Sequence, residues 1–126
     1  MTEFSVRLAN RPGQLATLTR LLAVAAITVE AFAAVSANGE AHVRIVVEDA
    51  RKTRRVLSDA AIDFTERDVL DTFVHRGSPG LAEMAETLAR ADVNIDSMYL
   101  LHTNAEGFHL ALTVSDSDRA HEALAS

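Results

Sequence analysis

Sixty-six residues after Leu15, Leu18, Leu22 and Ala25, the chain places Leu81, Met84, Leu88 and Ala91. Each quartet has the three- and four-residue spacing of one apolar helix face. The same displacement carries Ile27, Thr28, Val29 and Glu30 onto Val93, Asn94, Ile95 and Asp96, an alternating strand pattern in both copies. A chain that repeats its core pattern must build one kind of unit twice, a tighter limit on the fold than any composition figure. Around the following hairpin the displacement becomes 67: Ala41, His42 and Val43 match Phe108, His109 and Leu110, and "VED" at Val47 matches "VSD" at Val114. Turns absorb the difference. The first copy has "NG" at Asn38 and Gly39, a tight-hairpin signal, where the second has the looser "TNAEG" from Thr103 to Gly107.

The first copy reads as a strand over Glu3–Ala9, a helix over Pro12–Ala25, strands over Ile27–Val35 and Glu40–Glu48, a helix over Ala50–Ala60 and a strand over Asp63–Arg67. The second repeats this with a strand over Val69–His75, a helix over Pro79–Ala91, strands over Val93–His102 and Gly107–Val114, and a helix from Asp116. Its last residue, Ser126, corresponds to Asp59, so the final strand of the second copy is expected to be missing. The order β-α-β-β-α-β is a split β-α-β unit, an α+β, ferredoxin-like arrangement of one antiparallel sheet with two helices on one face. Repeats are expected over residues 1–68 and 69–126, with the two sheets side by side, since a half of this size buries little alone. The absent strand would bare the edge of the Val69–His75 strand. A bare edge invites a second chain, so a homodimer or higher oligomer is expected.

With 126 residues, 48% hydrophobic and 24% charged, the chain has the balance of a packed globular protein. It has no cysteine, which excludes thiolate chemistry and disulfides and fits a reducing, cytoplasmic setting. The start "MTEFSVRLAN" lacks a basic segment followed by an apolar one, so no signal peptide is expected. The apolar stretch Leu21–Val35 is too short, and too interrupted by Glu30, to span a bilayer. A net charge of −6 argues against nucleic acid as a partner, and the basic run Arg51–Arg55 reads as a solvated helix face.

The first helix of each repeat is preceded by a Pro-Gly turn, "NRPGQL" from Asn10 to Leu15 and "GSPGLA" from Gly77 to Ala82. Taken singly, these are ordinary helix punctuation. Taken as a pair, they put free helix amides and a partial positive charge where a carboxylate can dock without a basic side chain. Gly13 and Gly80 would permit close backbone approach, and Asn10 offers both a carbonyl oxygen and an amide. An amino-acid zwitterion suits such a turn.

At this level the chain resembles tandem ACT domains over nearly its whole length. The resemblance is carried by the two turns, the helix spacing, the "VNI"-type strand start and the "V-x-D" stretch before each second helix, all occurring twice. It implies a small regulatory protein that binds an amino acid or related ligand at the interface of its repeats and acts on a separate metabolic enzyme or regulator. The implied ligand residues are Asn10, Arg11, Pro12, Gly13, Gln14 and Leu15 in the first turn and Ser78, Pro79, Gly80 and Leu81 in the second. Thr28, and Asn94, Asp96 and Met98, lie at the facing strand starts. Serine-binding relatives carry a His where this chain has Leu8, and Gly77 is read as the counterpart of Asn10. The composite of Asn10–Leu15 with Asn94–Met98 is therefore the better preserved.

No catalytic constellation is found, and no cofactor or metal is implied. His42 and His109 are repeat-equivalent, but without a short-spaced cluster including His75 or His102 they do not make a metal site. Asp49 and Asp116 read as helix caps, and Met84 and Met98 as core. Tyr99 is placed by neither reading. A scaffold protein whose turns bind nothing is the alternative.

Overall fold

The computed structural model describes residues 1–125 and divides into two units, Met1–Asp68 and Val69 onward. The first unit runs β1 (Thr2–Ala9), α1 (Gln14–Val24), β2 (Val29–Ala37), β3 (Glu40–Val47), α2 (Ala50–Asp59) and β4 (Phe64–Asp68). Its sheet has the order β2-β3-β1-β4, with every neighbouring pair antiparallel. Alternation decides which face is buried. Phe4 and Val6 of β1 and Val43, Ile45 and Val47 of β3 join Leu18 and Leu22 of α1 and Leu57 of α2 in one core.

The second unit runs β5 (Leu70–His75), α3 (Ser78–Arg90), β6 (Ile95–Asn104), β7 (Gly107–Val114) and α4 (Ser117–Ala125). Its antiparallel sheet has the order β5-β7-β6. Leu70, Val74, Leu110, Leu112 and Val114 pack with Met84 and Leu88 of α3 and Ala120 of α4. Both units are ferredoxin-like α+β folds. The second has no counterpart of β4 among the described residues, so β5 is an edge strand of its sheet.

Three of the helices stop by one mechanism. After α1, α2 and α3 a residue without a glycine's freedom takes a left-handed conformation: Ala26 (φ 56°), Ala61 (φ 57°) and Asp92 (φ 59°). Each is followed by an apolar residue whose amide reaches back to the helix, Ile27 to Leu22, Ile62 to Leu57 and Val93 to Leu88. This satisfies the orphan carbonyls of the last turn and tucks the apolar residue under it. The starts of α2 and α4 are capped as expected, with Asp49 accepting from the Lys52 amide at 3.0 Å and Asp116 from the Arg119 amide at 3.0 Å.

Two core assignments need correction. Met98 pairs with the buried Leu112 and so lies on the helix-side face, yet it is 39% exposed. The face was right but the strand is an edge, with β6 lying outermost. Leu15, in the first turn of α1, is likewise 38% exposed, while Leu18 and Leu22 are buried. The apolar stripe outruns the part of the helix that the sheet covers.

Candidate functional site

The first turn is held in place at both ends. The Asn10 amide donates to the Gly39 carbonyl at the hairpin tip (3.1 Å), and the Gln14 amide donates to the Arg11 carbonyl (3.3 Å). Gly13 precedes α1 in the left-handed region at φ 91°, where an L side chain is strained. An ideal Cβ on Gly13 would meet no atom within 4 Å. Glycine is required there by backbone conformation, and the space above it is open.

No side chain caps α1. Among the described residues the amides of Gly13, Leu15 and Ala16 have no acceptor, because Thr17 is the first to donate four residues back, to the Gly13 carbonyl at 3.0 Å. Asn10, Arg11, Pro12 and Gly13 are solvent-exposed and Gln14 is half-buried. The Asn10 side chain is oriented by Ser36 on β2: its Nδ2 donates to Ser36 Oγ at 2.7 Å. That leaves Asn10 Oδ1 as a fixed, unoccupied acceptor. Sequence reasoning missed Ser36, although a Ser beside the hairpin in a stretch otherwise apolar from Ala31 to Ala37 is a recognisable signal.

The second turn is built differently. Its helix begins at Ser78, preceded by Gly77 at φ 61°, so Pro79 and Gly80 lie inside the first turn of α3. In the first copy Pro12 and Gly13 stand before the helix. Gly80 is buried, and a Cβ on it would fall 1.8 Å from the His75 carbonyl oxygen. The close approach that Gly80 permits is therefore to β5, and the expectation of an open glycine in both turns fails for the second. Pairing also revises the residue correspondence. The Arg76 amide donates to the Glu106 carbonyl (3.0 Å), as Asn10 does to Gly39, and His75 pairs with Gly107 as Ala9 does with Glu40. Arg76, and not Gly77, occupies the place of Asn10. Its guanidinium is bound to Glu83 at 2.6 Å.

Thr28 and Asn94 are exposed and immediately precede the strand pairing of β2 and β6. Both ladders then skip one residue, Glu30 in the first and Asp96 in the second, which turns the acidic side chain out of register. Asn94 and Asp96 are brought together, with Asn94 Nδ2 donating to Asp96 Oδ1 at 2.7 Å. The Asn94 amide is thus already engaged, and its own backbone N–H donates to Ser115 Oγ.

The chain matches no protein-family model and no curated protein. Among solved structures it is similar to protein BT0572 from Bacteroides thetaiotaomicron, with a TM-score of 0.87 and 24% identity over 98% of this chain and 85% of that one. It is also similar to the regulatory subunit of aspartate kinase from Thermus thermophilus, with a TM-score of 0.72 and 17% identity over 98% and 88%. The corresponding subunit from Thermus flavus gives a TM-score of 0.64 and 14% identity over 98% and 92%. The chain has the tandem ACT-domain fold.

Within this ACT fold the two repeats carry unequal turns, one open with free amides and one closed on its own strand. His109 is paired with Asp71 on the neighbouring strand. Among the described residues no three metal-ligating side chains cluster, and no helix is long and apolar enough to cross a membrane.

Proposed function

We propose that this protein is an amino-acid-responsive regulator without catalytic activity of its own, and that the Asn10–Leu15 turn holds the ligand. The observation that carries the reading is the combination of an open left-handed Gly13, the free amides of Gly13, Leu15 and Ala16, and an Asn10 carbonyl fixed by Ser36. Free amides at a helix start donate to a carboxylate, and a fixed carbonyl oxygen accepts from an ammonium. The two charges of an amino acid match these two groups. The solved regulatory subunits of aspartate kinase support the reading through their shared fold and their regulatory role. A separate metabolic enzyme or regulator would read the ligand-bound state through its differential affinity for it.

Calorimetry and thermal shift with the common amino acids test this. A ligand at a hundred times its dissociation constant adds about 2.7 kcal/mol of stability. Gly13→Asp, which sets a carboxylate where the ligand carboxylate would dock, is expected to abolish that response. Arg55→Ala, on the exposed face of α2, is expected to keep it. The scaffold reading draws on the closed second turn, with Gly80 packed on His75 and Arg76 tied to Glu83. No response to any amino acid up to millimolar concentration would favour it.

A further inference from the structure

Helix α2 carries Arg51, Lys52, Arg54 and Arg55, four of the 12 lysines and arginines of a chain whose net charge is −6. Arg51 and Lys52 lie in its first turn, which holds no acid. Cations there oppose the positive end of the helix dipole. Arg51 also stands one turn from Arg54 and Arg55, and like charges at that spacing repel along the helix surface. Of the four, Arg54 is compensated by its two hydrogen bonds to Glu66. Arg51 and Arg55 are exposed and Lys52 is half-buried, and none of these three has a carboxylate partner among the described residues.

The fold does not require this charge, because the repeat builds the same helix without it. Asp49 caps α2 and Asp116 caps α4, and four residues after each cap Thr53 and Ala120 are fully buried. On the solvent side the sign reverses: 67 residues on, Arg51 is matched by Asp118 and Arg55 by Glu122. Asp118 lies in the first turn of α4, where the helix dipole favours it. Capping and packing are thus common to both helices, whereas the exposed charges of α2 run against the local electrostatics of a helix start. A local rule broken without compensation inside the fold marks a functional surface.

We propose that the face of α2 formed by Arg51, Lys52 and Arg55 docks an acidic helix of a separate protein. Arg51 and Arg55 stand about 6 Å apart along the helix axis. Carboxylates four residues apart on a facing helix have the same spacing, and Lys52 adds a third cation beside them. A nucleic-acid backbone suits the face less, since three unpaired cations neutralise only about three phosphates and a net charge of −6 repels a long polyanion. Docking on α2 is separate from amino-acid binding at the first turn, and either can fail while the other stands.

The probe is a helical peptide of about 20 residues with glutamate at every fourth position along one face. It is expected to bind the wild-type chain at low ionic strength and to be released as salt rises. Arg51→Glu/Arg55→Glu is expected to weaken binding roughly tenfold. The same variant is expected to raise the thermal midpoint, because it removes the repulsion and suits the helix dipole. Arg7→Glu/Arg90→Glu, which changes the net charge equally at exposed sites on β1 and α3, is expected to keep peptide binding. Equal losses in the two double variants, or no binding to the wild-type chain at low salt, would overturn the site. A lowered midpoint in Arg51→Glu/Arg55→Glu would also overturn it, since the cations would then serve folding. A short DNA duplex that bound more tightly than the peptide, and lost its affinity in that variant, would overturn the choice of partner.

Discussion

Gly80 lies so close to His75 that a Cβ on it would fall 1.8 Å from the His75 carbonyl oxygen, whereas its namesake in the first turn, Gly13, would place a Cβ in open space. Gly80→Ala therefore forces α3 away from β5 and is expected to cost about 2–3 kcal/mol. Gly13→Ala carries only left-handed strain, about 1 kcal/mol. Urea denaturation of the two variants checks the order. A Gly13→Ala variant that lost more stability than Gly80→Ala would contradict it.

Ser36 touches no proposed ligand group except through Asn10. Ser36→Ala is expected to change stability by no more than about 1 kcal/mol, because the hydrogen bond is solvent-exposed. Its effect should fall on binding, with amino-acid affinity down roughly fivefold as Asn10 loses its fixed orientation. Titration calorimetry beside a denaturation curve separates the two effects.

Arg54 holds Glu66 through two hydrogen bonds, Nε to Oε2 at 2.8 Å and Nη2 to Oε1 at 2.6 Å, tying α2 to β4. These bonds, with the guanidinium charge, lower the Glu66 carboxyl below its ordinary value of 4.5. A carboxyl lowered by folding contributes stability that is complete above its unfolded pKa and is lost as pH falls through the folded one. Glu66→Gln is expected to be less stable than wild type at pH 7, with the difference shrinking on acidification below 4.5. Denaturation midpoints from pH 7 to pH 3 measure it, and a constant difference would exclude this origin.

Ala61 ends α2 at φ 57° without a glycine's freedom, and its side chain is exposed. Ala61→Gly is expected to stabilise the protein by roughly 0.5–1 kcal/mol, because the left-handed penalty exceeds the extra chain entropy of glycine. Thermal and urea midpoints should rise together. A fall in both would mean that the unfolded-chain entropy dominates.

Much of the fold was legible because it depends on neighbours a few positions apart. The spacing of Leu18, Leu22, Met84 and Leu88, the alternation of Val43, Ile45 and Val47, and the caps at Asp49 and Asp116 are local patterns, and each element they indicate is present. The repeat added the topology, since the same pattern twice implies the same unit twice. The candidate site was legible only as a stretch of chain. That Asn10 is aimed by Ser36, that Arg76 is its counterpart, and that Gly80 is spent on packing follow from hydrogen bonds and distances between segments far apart in sequence.

Local chemistry determined where this chain turns and which face of each element is apolar, because backbone sterics and side-chain periodicity act within a few residues. Tertiary packing decided which of those faces and turns remain open. Met98 has the right face but lies on an edge strand, and Gly80 has the right residue type but lies against a neighbouring strand. Exposure is a property of what the rest of the fold places overhead, and no window of sequence contains it.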